Sequence, residues 1–186
     1  ASDVYKRQIV IYPVKSGLDE LYFVTSVPDP DWDVESWSAR GEMAEVRRAL
    51  AGFHEDVQRV LDACPGVHKW ALFERDPLPR WADGPIVLLG DACHPMTPYM
   101  AQGAATSIED AAVLARCLDA VKGDDIEGAF RRYEAHRKPR TSVVQAISSA
   151  NTWMREGDGD TSWLYGYDAW NANLDQPAAH PRARAA

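Results

Sequence analysis

Residues 86–105 constrain the fold more than any other part of the sequence. They begin with four apolar residues, Ile86–Leu89, a short run that is typical of a strand buried on both faces. Gly90 and Asp91 follow directly, and a loop with two prolines then leads to the small residues 103–105. Because these small residues open a segment with helical periodicity, we expect a strand, a stiff loop and a helix in that order.

The ends of this strand and this helix carry groups that suit a polar ligand. Asp91 places a carboxylate at the carboxyl end of the strand, where it can accept hydrogen bonds from sugar hydroxyls. Gly103–Ala105 leave the backbone N–H groups at the helix start accessible, and the helix dipole adds partial positive charge there. A bound nucleotide cofactor requires both features. From the residues alone, a helix cap for Asp91 and a small-residue packing contact for Gly103–Ala105 remain open alternatives.

Composition and charge exclude several classes of protein. Apolar residues make up 46% of the 186 residues, which is enough for a core, and the net charge of −8 argues against a nucleic-acid partner. No apolar run reaches membrane-spanning length and no signal peptide opens the chain, so we expect a cytoplasmic protein that binds no membrane. The three cysteines and five histidines lack the short paired spacing of metal ligands, and we therefore expect no metal site.

Hydrophobic periodicity predicts the other elements of the fold. Two β-rich segments, Ile9–Val14 and Glu20–Val27, flank a turn and predict a hairpin. The long helix predicted near the carboxyl end contains Pro139, which should kink or break it. The remaining predicted elements are helices at Glu42–Phe53, Glu55–Ala63, Ala104–Val121 and Ile126–Ala150, a strand at Val67–Arg75 and an aromatic segment at Trp163–Trp170.

Two polar features each have a structural and a functional interpretation. His94 lies near Asp91, but the chain has no Gly-x-Ser-x-Gly elbow and Cys93 has no evident base, which favours a satisfied, partly buried histidine. The basic run at 131–140 could meet the phosphates of a nicotinamide cofactor, whereas the interspersed Glu134 favours a solvated helix face. We therefore assign no catalytic residue from the sequence.

The segment Gly90–Met96, followed by Gln102–Ala105 and Ile108–Ala111, resembles the second flavin-binding motif of the aromatic-ring flavoprotein monooxygenases. This group contains the para-hydroxybenzoate and salicylate hydroxylases. The resemblance runs from about Ile9 to about Leu174, and its carboxyl-terminal aromatic segment is most similar to the hydroxynicotinate monooxygenases. The other similar segments are Tyr22–Pro28, Arg132–Glu134, Arg137–Arg140 and Trp163–Trp170.

The resemblance implies the carboxyl-terminal half of an α/β flavoprotein monooxygenase, with α+β character in the chain itself. Residues 1–80 would form part of the substrate-covering sheet with helices, and residues 81–122 a buried strand, the Gly-Asp loop and a helix of the FAD domain. Residues 123–175 would form a carboxyl-terminal helical segment, and residues 176–186 a disordered tail. The Gly-x-Gly-x-x-Gly unit that opens these enzymes has no counterpart here, so we expect the chain to be incomplete and inactive by itself.

The same resemblance implies a set of cofactor-binding residues. Asp91 would bind the ribitol or ribose region of FAD, and Pro98 would lie beside the reactive edge of the isoalloxazine ring. The backbone of Gly103–Ala105 would face the pyrimidine carbonyl, where negative charge accumulates on reduction. The full set is Gly90, Asp91, Pro98, Gly103, Ala104 and Ala105.

A substrate pocket is implied as well. Tyr12, Val24 and Thr25 lie on the sheet that covers the substrate in this family, and Tyr99 would point into the same cavity. Tyr99 stands where hydroxynicotinate enzymes are expected to carry a histidine, and Gln8 marks a similar departure. The recognised ring substituents would then differ from theirs.

For activity, the resemblance implies an FAD-dependent monooxygenase. NADH or NADPH would reduce the flavin, molecular oxygen would form a flavin hydroperoxide, and a small aromatic or pyridine carboxylate would receive one oxygen atom. Alternatives are another flavin oxidoreductase or epoxidase on the same scaffold and, because the chain holds seven tryptophans, a non-catalytic binding module. The sequence leaves open the ring substrate, the choice between NADH and NADPH, and the formation of a homodimer.

Overall fold

Helices and small antiparallel sheets alternate along the chain, which confirms the predicted mixed α/β class. The chain divides into two compact units, residues 1–71 and residues 72–186. The first holds the hairpin and a pair of short helices, and the second holds two long helices. The structure is a computed structural model that describes residues 8–27, 29, 31–121, 124–150 and 161–178.

The first unit opens with the predicted hairpin. Its antiparallel strands are β1 (Gln8–Pro13) and β2 (Leu21–Ser26). In the observed register Val10 lies opposite Val24. Cross-strand partners point to the same face of a sheet and successive residues to opposite faces. Tyr12 and Val24 therefore share one face of the hairpin, whereas Thr25 lies on the other.

Two short helices and a two-stranded pairing complete the first unit. These elements are β3 (Arg40–Gly41), α1 (Met43–Ala49), α2 (Glu55–Ala63) and β4 (Val67–His68). Helix α2 begins where predicted because His54 Nδ1 accepts a hydrogen bond from the Asp56 N–H at 3.3 Å. Leu50 and Leu61 are fully buried, and the half-buried Cys64 follows α2.

Two predicted elements of this unit are shorter in the structure. The helix predicted over Glu42–Phe53 ends at Ala49, where the chain turns. Of the strand predicted over Val67–Arg75, only β4 forms. Its partner β3 is two residues long, and the described chain provides no other partner. Beyond β4 the apolar side chains of Leu72 and Phe73 are exposed.

The predicted buried strand at Ile86–Leu89 is wrong in both length and burial. Strand β6 (Ile86–Val87) pairs antiparallel with β5 (Ala82–Asp83) around Gly84, which has a φ of +54°. Ile86 is 64% exposed. A strand is buried on both faces only within a wider covered sheet, and β6 has one neighbouring strand among the described residues.

Two long helices organise the second unit. Its helices are α3 (Gly103–Asp119), α4 (Ile126–Ala150) and the short α5 (Ser162–Tyr165). Helix α4 continues through Pro139 without the break that was one of the two effects expected of this proline. The main buried cluster joins residues of both long helices to the chain before α3 and to the terminal segment: Trp81, Cys93, Val113, Cys117, Ala129, Tyr133 and Leu174.

The apolar periodicity of α3 predicts a buried face with Ile108, Ala111, Ala112, Ala115 and Leu118, but the structure buries a different face. Ile108 is 72% exposed, and Leu118 is also exposed. The buried side chains of α3 are Thr106, Asp110, Val113 and Cys117. A carboxylate therefore occupies the centre of the face that packs inward, which requires charged partners on the neighbouring element.

The terminal segment 161–178 lies along α3 and α4. Arg116 of α3 donates hydrogen bonds at 2.8 Å to the carbonyl oxygens of Ala169 and Ala172. Ala178 is buried, and its N–H donates to the carbonyl of His136 at 2.9 Å. Residues 176–178 of the predicted disordered tail are thus placed by such contacts, and residues 179–186 lie outside the described part.

Among the described helices, none combines the length and apolar character needed to cross a bilayer.

Candidate functional site

The Gly-Asp turn is built around a glycine that no other residue can replace without strain. Gly90 is buried and starts a 3₁₀ turn with a φ of +62°, in the left-handed region that L-residues disfavour. A Cβ at this position would lie 2.8 Å from Ser107 Oγ on α3. The turn therefore packs directly on the first turns of α3.

Asp91 carries an exposed carboxylate at this turn. A Cβ built on Gly103 would lie 3.9 Å from Asp91 Oδ1, so the carboxylate stands beside the start of α3. It does not cap that helix, since α3 has no side-chain cap. Within the described chain no group donates a hydrogen bond to the Asp91 carboxylate, which leaves its oxygens available to a ligand.

The start of α3 presents backbone donors to the same place. The first four N–H groups of a helix have no intrahelical acceptor, and the first helical bond here runs from the Thr106 N–H to the Gln102 carbonyl at 2.8 Å. In the described structure nothing accepts from the N–H groups of Gly103, Ala104 and Ala105. Ala104 is exposed, so its small side chain does not serve packing. A carboxylate and bare helix N–H groups thus lie together in the described structure.

The loop between the turn and α3 is fixed to α4. Ser148 Oγ donates to the Thr97 carbonyl at 2.6 Å, and Gln145 Nε2 donates to the Pro95 carbonyl at 3.0 Å. Pro98 begins a second 3₁₀ turn, Pro98–Met100, and is itself exposed. A loop held in this way can form a rigid wall beside a planar ligand.

Tyr99 and Ala101 follow Pro98 in this loop. Tyr99 is half-buried. Ala101 has a φ of +52°, a left-handed conformation that is rare for a residue with a Cβ. Backbone strain of this kind persists only where surrounding contacts impose it, and it is common near ligand sites.

Behind the turn lies a buried charge network that the sequence interpretation missed. Asp110 Oδ2 accepts hydrogen bonds from the Gly90 N–H at 3.1 Å and from His94 Nε2 at 2.5 Å, and Oδ1 accepts one from Arg137 Nε at 2.7 Å. Burial opposes the charge of Asp110, but the His94 hydrogen bond and the Arg137 charge outweigh it and hold the pKa of Asp110 below its ordinary value. His94 is fully buried rather than partly buried, and its Nδ1 has no hydrogen-bond partner among the described residues, so the prediction of a satisfied histidine is wrong at that atom.

The network continues from α3 into α4 through two arginines. Arg137 donates to Glu109 Oε2 at 2.7 Å, and Arg140 donates to both oxygens of Glu109 at 3.0 and 2.9 Å. Both arginines are buried, so the predicted solvated basic face is wrong at these positions. The sequence signal that could have indicated this network was the adjacent acids Glu109 and Asp110 near the middle of α3, because buried arginines need such partners.

Three potential metal ligands meet in this network but are engaged in hydrogen bonds. The ligand atoms of Cys93, His94 and Asp110 lie within 4.8 Å of one another, and all three residues are buried. Cys93 Sγ donates to the Gly90 carbonyl at 3.4 Å. Burial raises the pKa of Cys93 to about 12, which keeps it as a thiol rather than the thiolate that binds metals. The cluster is therefore explained as part of the packing behind the turn.

The predicted substrate residues fall in both units. Tyr12 packs against Tyr22 with ring centroids 5.3 Å apart, on the same face as Val24. Thr25 lies on the opposite face, where its Oγ1 donates to the Gln8 carbonyl at 2.6 Å. The side chains of Tyr12, Val24 and Thr25 thus cannot line one face of the hairpin together.

Comparison with known proteins connects this geometry to a family. Residues 5–148 match the family described as the FAD binding domain. Over 171 residues the chain is 51% identical to 6-hydroxynicotinate 3-monooxygenase from Pseudomonas fluorescens, which covers 92% of this chain. This chain belongs to the FAD binding domain family.

Further aromatic hydroxylases share the sequence and the fold. The 6-hydroxynicotinate 3-monooxygenase of Bordetella bronchiseptica is 50% identical over 88% of this chain. A solved structure described as a salicylate hydroxylase substrate complex superposes with a TM-score of 0.70, at 28% identity over 91% of this chain. The chain spans 44% and 43% of the lengths of the two curated relatives, and 46% of that solved chain.

The residues at the Gly-Asp turn fit FAD, the cofactor named in the description of the matched family. FAD carries sugar hydroxyls that donate to a carboxylate and ring carbonyls that accept from N–H groups. Asp91 offers the acceptor, Gly103–Ala105 offer the donors, and the missing Cβ of Gly103 leaves the backbone accessible. The donor set therefore matches the two polar surfaces of the cofactor.

Proposed function

We propose that the intact protein is an FAD-dependent monooxygenase that hydroxylates a small aromatic or pyridine carboxylate, with NADH or NADPH as reductant and molecular oxygen as co-substrate. The observation that carries the proposal is the free Asp91 carboxylate beside the uncapped start of α3. The names of the relatives, which include hydroxynicotinate and salicylate hydroxylases, support the substrate class.

Each part of the site has a role in this proposal. Asp91 accepts hydrogen bonds from sugar hydroxyls of the cofactor, and the N–H groups of Gly103–Ala105 donate to its ring carbonyls. The partial positive charge at the start of α3 stabilises negative charge on that part of the ring. The bound flavin supplies the redox chemistry, in which the nicotinamide gives two electrons, one oxygen atom enters the substrate and the other leaves as water.

In the same proposal, Pro98 and Tyr99 of the loop before α3 position the substrate. Pro98 and Tyr99 lie on a loop fixed to α4, so they can form a stiff side of the pocket. In the hairpin of the first unit, Tyr12 and Val24 share one face and Thr25 lies on the other, where its hydroxyl supports the hairpin. Tyr99 carries a hydroxyl that can donate to or accept from a ring substituent.

A direct test uses the intact protein purified with FAD. NADH and NADPH oxidation is followed across a panel of hydroxylated benzoates and pyridine carboxylates, and product masses are measured. The proposal predicts a substrate-stimulated rate and a product heavier by one oxygen atom. Stimulated oxidation that yields only hydrogen peroxide and unchanged substrate would favour another flavin oxidoreductase. A protein that binds no flavin would favour a non-catalytic binding module.

A further inference from the structure

Asp110 connects the two ends of the Gly-Asp turn. Its carboxylate accepts from the Gly90 N–H at the first residue of the turn and from the His94 side chain four residues later. The turn is closed on its other side, because the N–H groups of Cys93 and His94 both donate to the Gly90 carbonyl at 3.0 Å. The exposed Asp91 lies between these two fixed ends.

We propose that Asp110 is a positioning residue for cofactor binding, which holds Gly90 and His94 so that the Asp91 carboxylate stands beside the start of α3. The inference rests on the proposed function, since it assigns to Asp91 a hydrogen bond with the flavin cofactor. Asp110 is fully buried and does not itself reach the surface where a cofactor would bind.

The backbone at Gly90 makes the position of Asp91 sensitive to this hydrogen bond. Gly90 has a left-handed φ and lies against Ser107 of α3. Glycine is free to leave such a conformation, because it has no Cβ to restrict it. The N–H···Oδ2 bond to Asp110 removes that freedom at the residue directly before Asp91.

The charge on Asp110 depends on helix α4. A buried carboxylate stays ionised only if it is paired, and fully buried Arg137 of α4 supplies the pairing cation through Nε at 2.7 Å. Arg137 also donates to Glu109, one residue before Asp110 on α3, through Nη2, a different nitrogen from the Nε that binds Asp110. Helices α3 and α4 thus set the turn together, although α4 has no described residue in the turn itself.

The neighbouring acid provides a matched control. Glu109 binds the same Arg137, and Arg140 as well, but it makes no described contact with Gly90 or His94. Glu109→Gln therefore perturbs the α3–α4 ion pairs without touching the turn. An effect that is specific to cofactor positioning should appear in Asp110→Asn and not in Glu109→Gln.

The experiment is a double-mutant cycle on FAD affinity in the intact protein, measured by fluorescence titration of the apoprotein. Asp91→Ala and Asp110→Asn should each weaken FAD binding about tenfold or more, as expected for a lost hydrogen bond to a charged group. In the Asp91→Ala background, Asp110→Asn should change affinity less than twofold, because the carboxylate that it positions is gone. Glu109→Gln should stay within twofold of the wild type.

Amide hydrogen exchange gives an independent readout of the turn. The Gly90 N–H should exchange faster in Asp110→Asn and at the wild-type rate in Glu109→Gln. If Asp110→Asn does not fold, Arg137→Lys takes its place in the same cycle, since lysine keeps the charge but loses the guanidinium geometry.

The outcomes separate the two proposals. If Asp91→Ala weakens FAD binding while Asp110→Asn leaves it unchanged, the positioning role is overturned and the flavin site stands. Equal effects of Asp110→Asn with and without Asp91 would also overturn it. If Asp91→Ala leaves FAD affinity unchanged, the assigned flavin contact and the positioning role both fail.

Discussion

Gly90 is the residue at which the backbone and its packing leave least room for change. Its left-handed φ and its contact with Ser107 are independent constraints, since one is conformational and the other is steric. Gly52 differs in both respects, because nothing lies within 4 Å of its added Cβ and its φ is not in the left-handed region. The two glycines therefore form a natural pair for comparison.

Gly90→Ala should lower the free energy of unfolding by about 2 kcal/mol, from left-handed strain and from the clash with Ser107. Gly52→Ala should leave it nearly unchanged or slightly higher. Urea unfolding of both variants measures the difference. Equal stability of the two variants would contradict the described conformation of Gly90.

Asp91→Ala should leave thermal stability close to the wild type while it weakens FAD binding. Asp91 is exposed and has no partner in the described chain, so its removal breaks no internal contact. Asp119, exposed at the opposite end of α3, serves as the control, and Asp119→Ala should change neither property. The measurements are the melting temperature of the apoprotein and the dissociation constant for FAD. A melting temperature that drops in Asp91→Ala would indicate a structural role instead.

At the scale of elements, α4 holds the terminal segment through cations directed at backbone carbonyls. Arg140 donates to the carbonyls of Trp163 and Leu164 at 2.8 and 2.9 Å, and its guanidinium lies 4.2 Å from the ring centroid of Tyr167. The same side chain pairs with Glu109. One buried arginine thus joins α3, α4 and the segment that contains α5.

Arg140→Ala should lower the free energy of unfolding by about 3 kcal/mol, because it leaves Glu109 with a poorer partner and two carbonyls without their donor. Arg140→Lys should recover only part of this loss, since a lysine cannot donate in the same fork. The ion pairs that Arg131 of the same helix forms with described residues are exposed, and Arg131→Ala should change stability little. Denaturant unfolding of the three variants tests whether the loss of stability decreases in the order Arg140→Ala, Arg140→Lys, Arg131→Ala.

His136 joins α4 to the terminal segment in a way that depends on pH. Its Nδ1–H donates to the Gln176 carbonyl at 2.5 Å. Burial lowers the pKa of His136 below its ordinary value, and the charges of Arg137, Arg116 and Arg132 lower it further, against the opposing effect of the hydrogen bond to Gln176.

Because the pKa of His136 is lower in the folded than in the unfolded state, the unfolded chain binds the extra proton first. Stability from neutral His136 is therefore fully present above about pH 6.5, the ordinary histidine pKa, and is lost as the pH falls below it. We expect the melting temperature to decrease between pH 7 and pH 5.5, and to decrease less in His136→Gln. Identical slopes in the wild type and in His136→Gln would refute the prediction.

At the scale of the whole molecule, local patterns predicted most of the elements, although three are shorter than predicted, and the cofactor-binding residues stay a prediction. The hairpin, α2 and α4 follow from periodicity, and the position of Asp91 beside Gly103 follows from the order of strand, loop and helix. The length of β6 does not follow from the local sequence, because it depends on the strands that flank it.

The buried network was not predictable from periodicity for a specific reason. A periodicity argument places apolar residues inside, and on α3 it selects Ile108. In the structure Asp110 is inside instead, because Arg137 and His94 supply the charge and hydrogen bonds that its burial requires. Those partners lie 27 and 16 residues away, so no local pattern could pair them.

The burial of the cysteines has a practical consequence for labelling this chain. Cys93 and Cys117 are buried, and burial raises the pKa of both thiols, so they react slowly with maleimides. Cys64 is the most accessible of the three, and it lies in the first unit, whereas the Gly-Asp turn lies in the second. A maleimide fluorophore therefore labels the first unit at Cys64 ahead of the second unit, without any engineered cysteine in this chain.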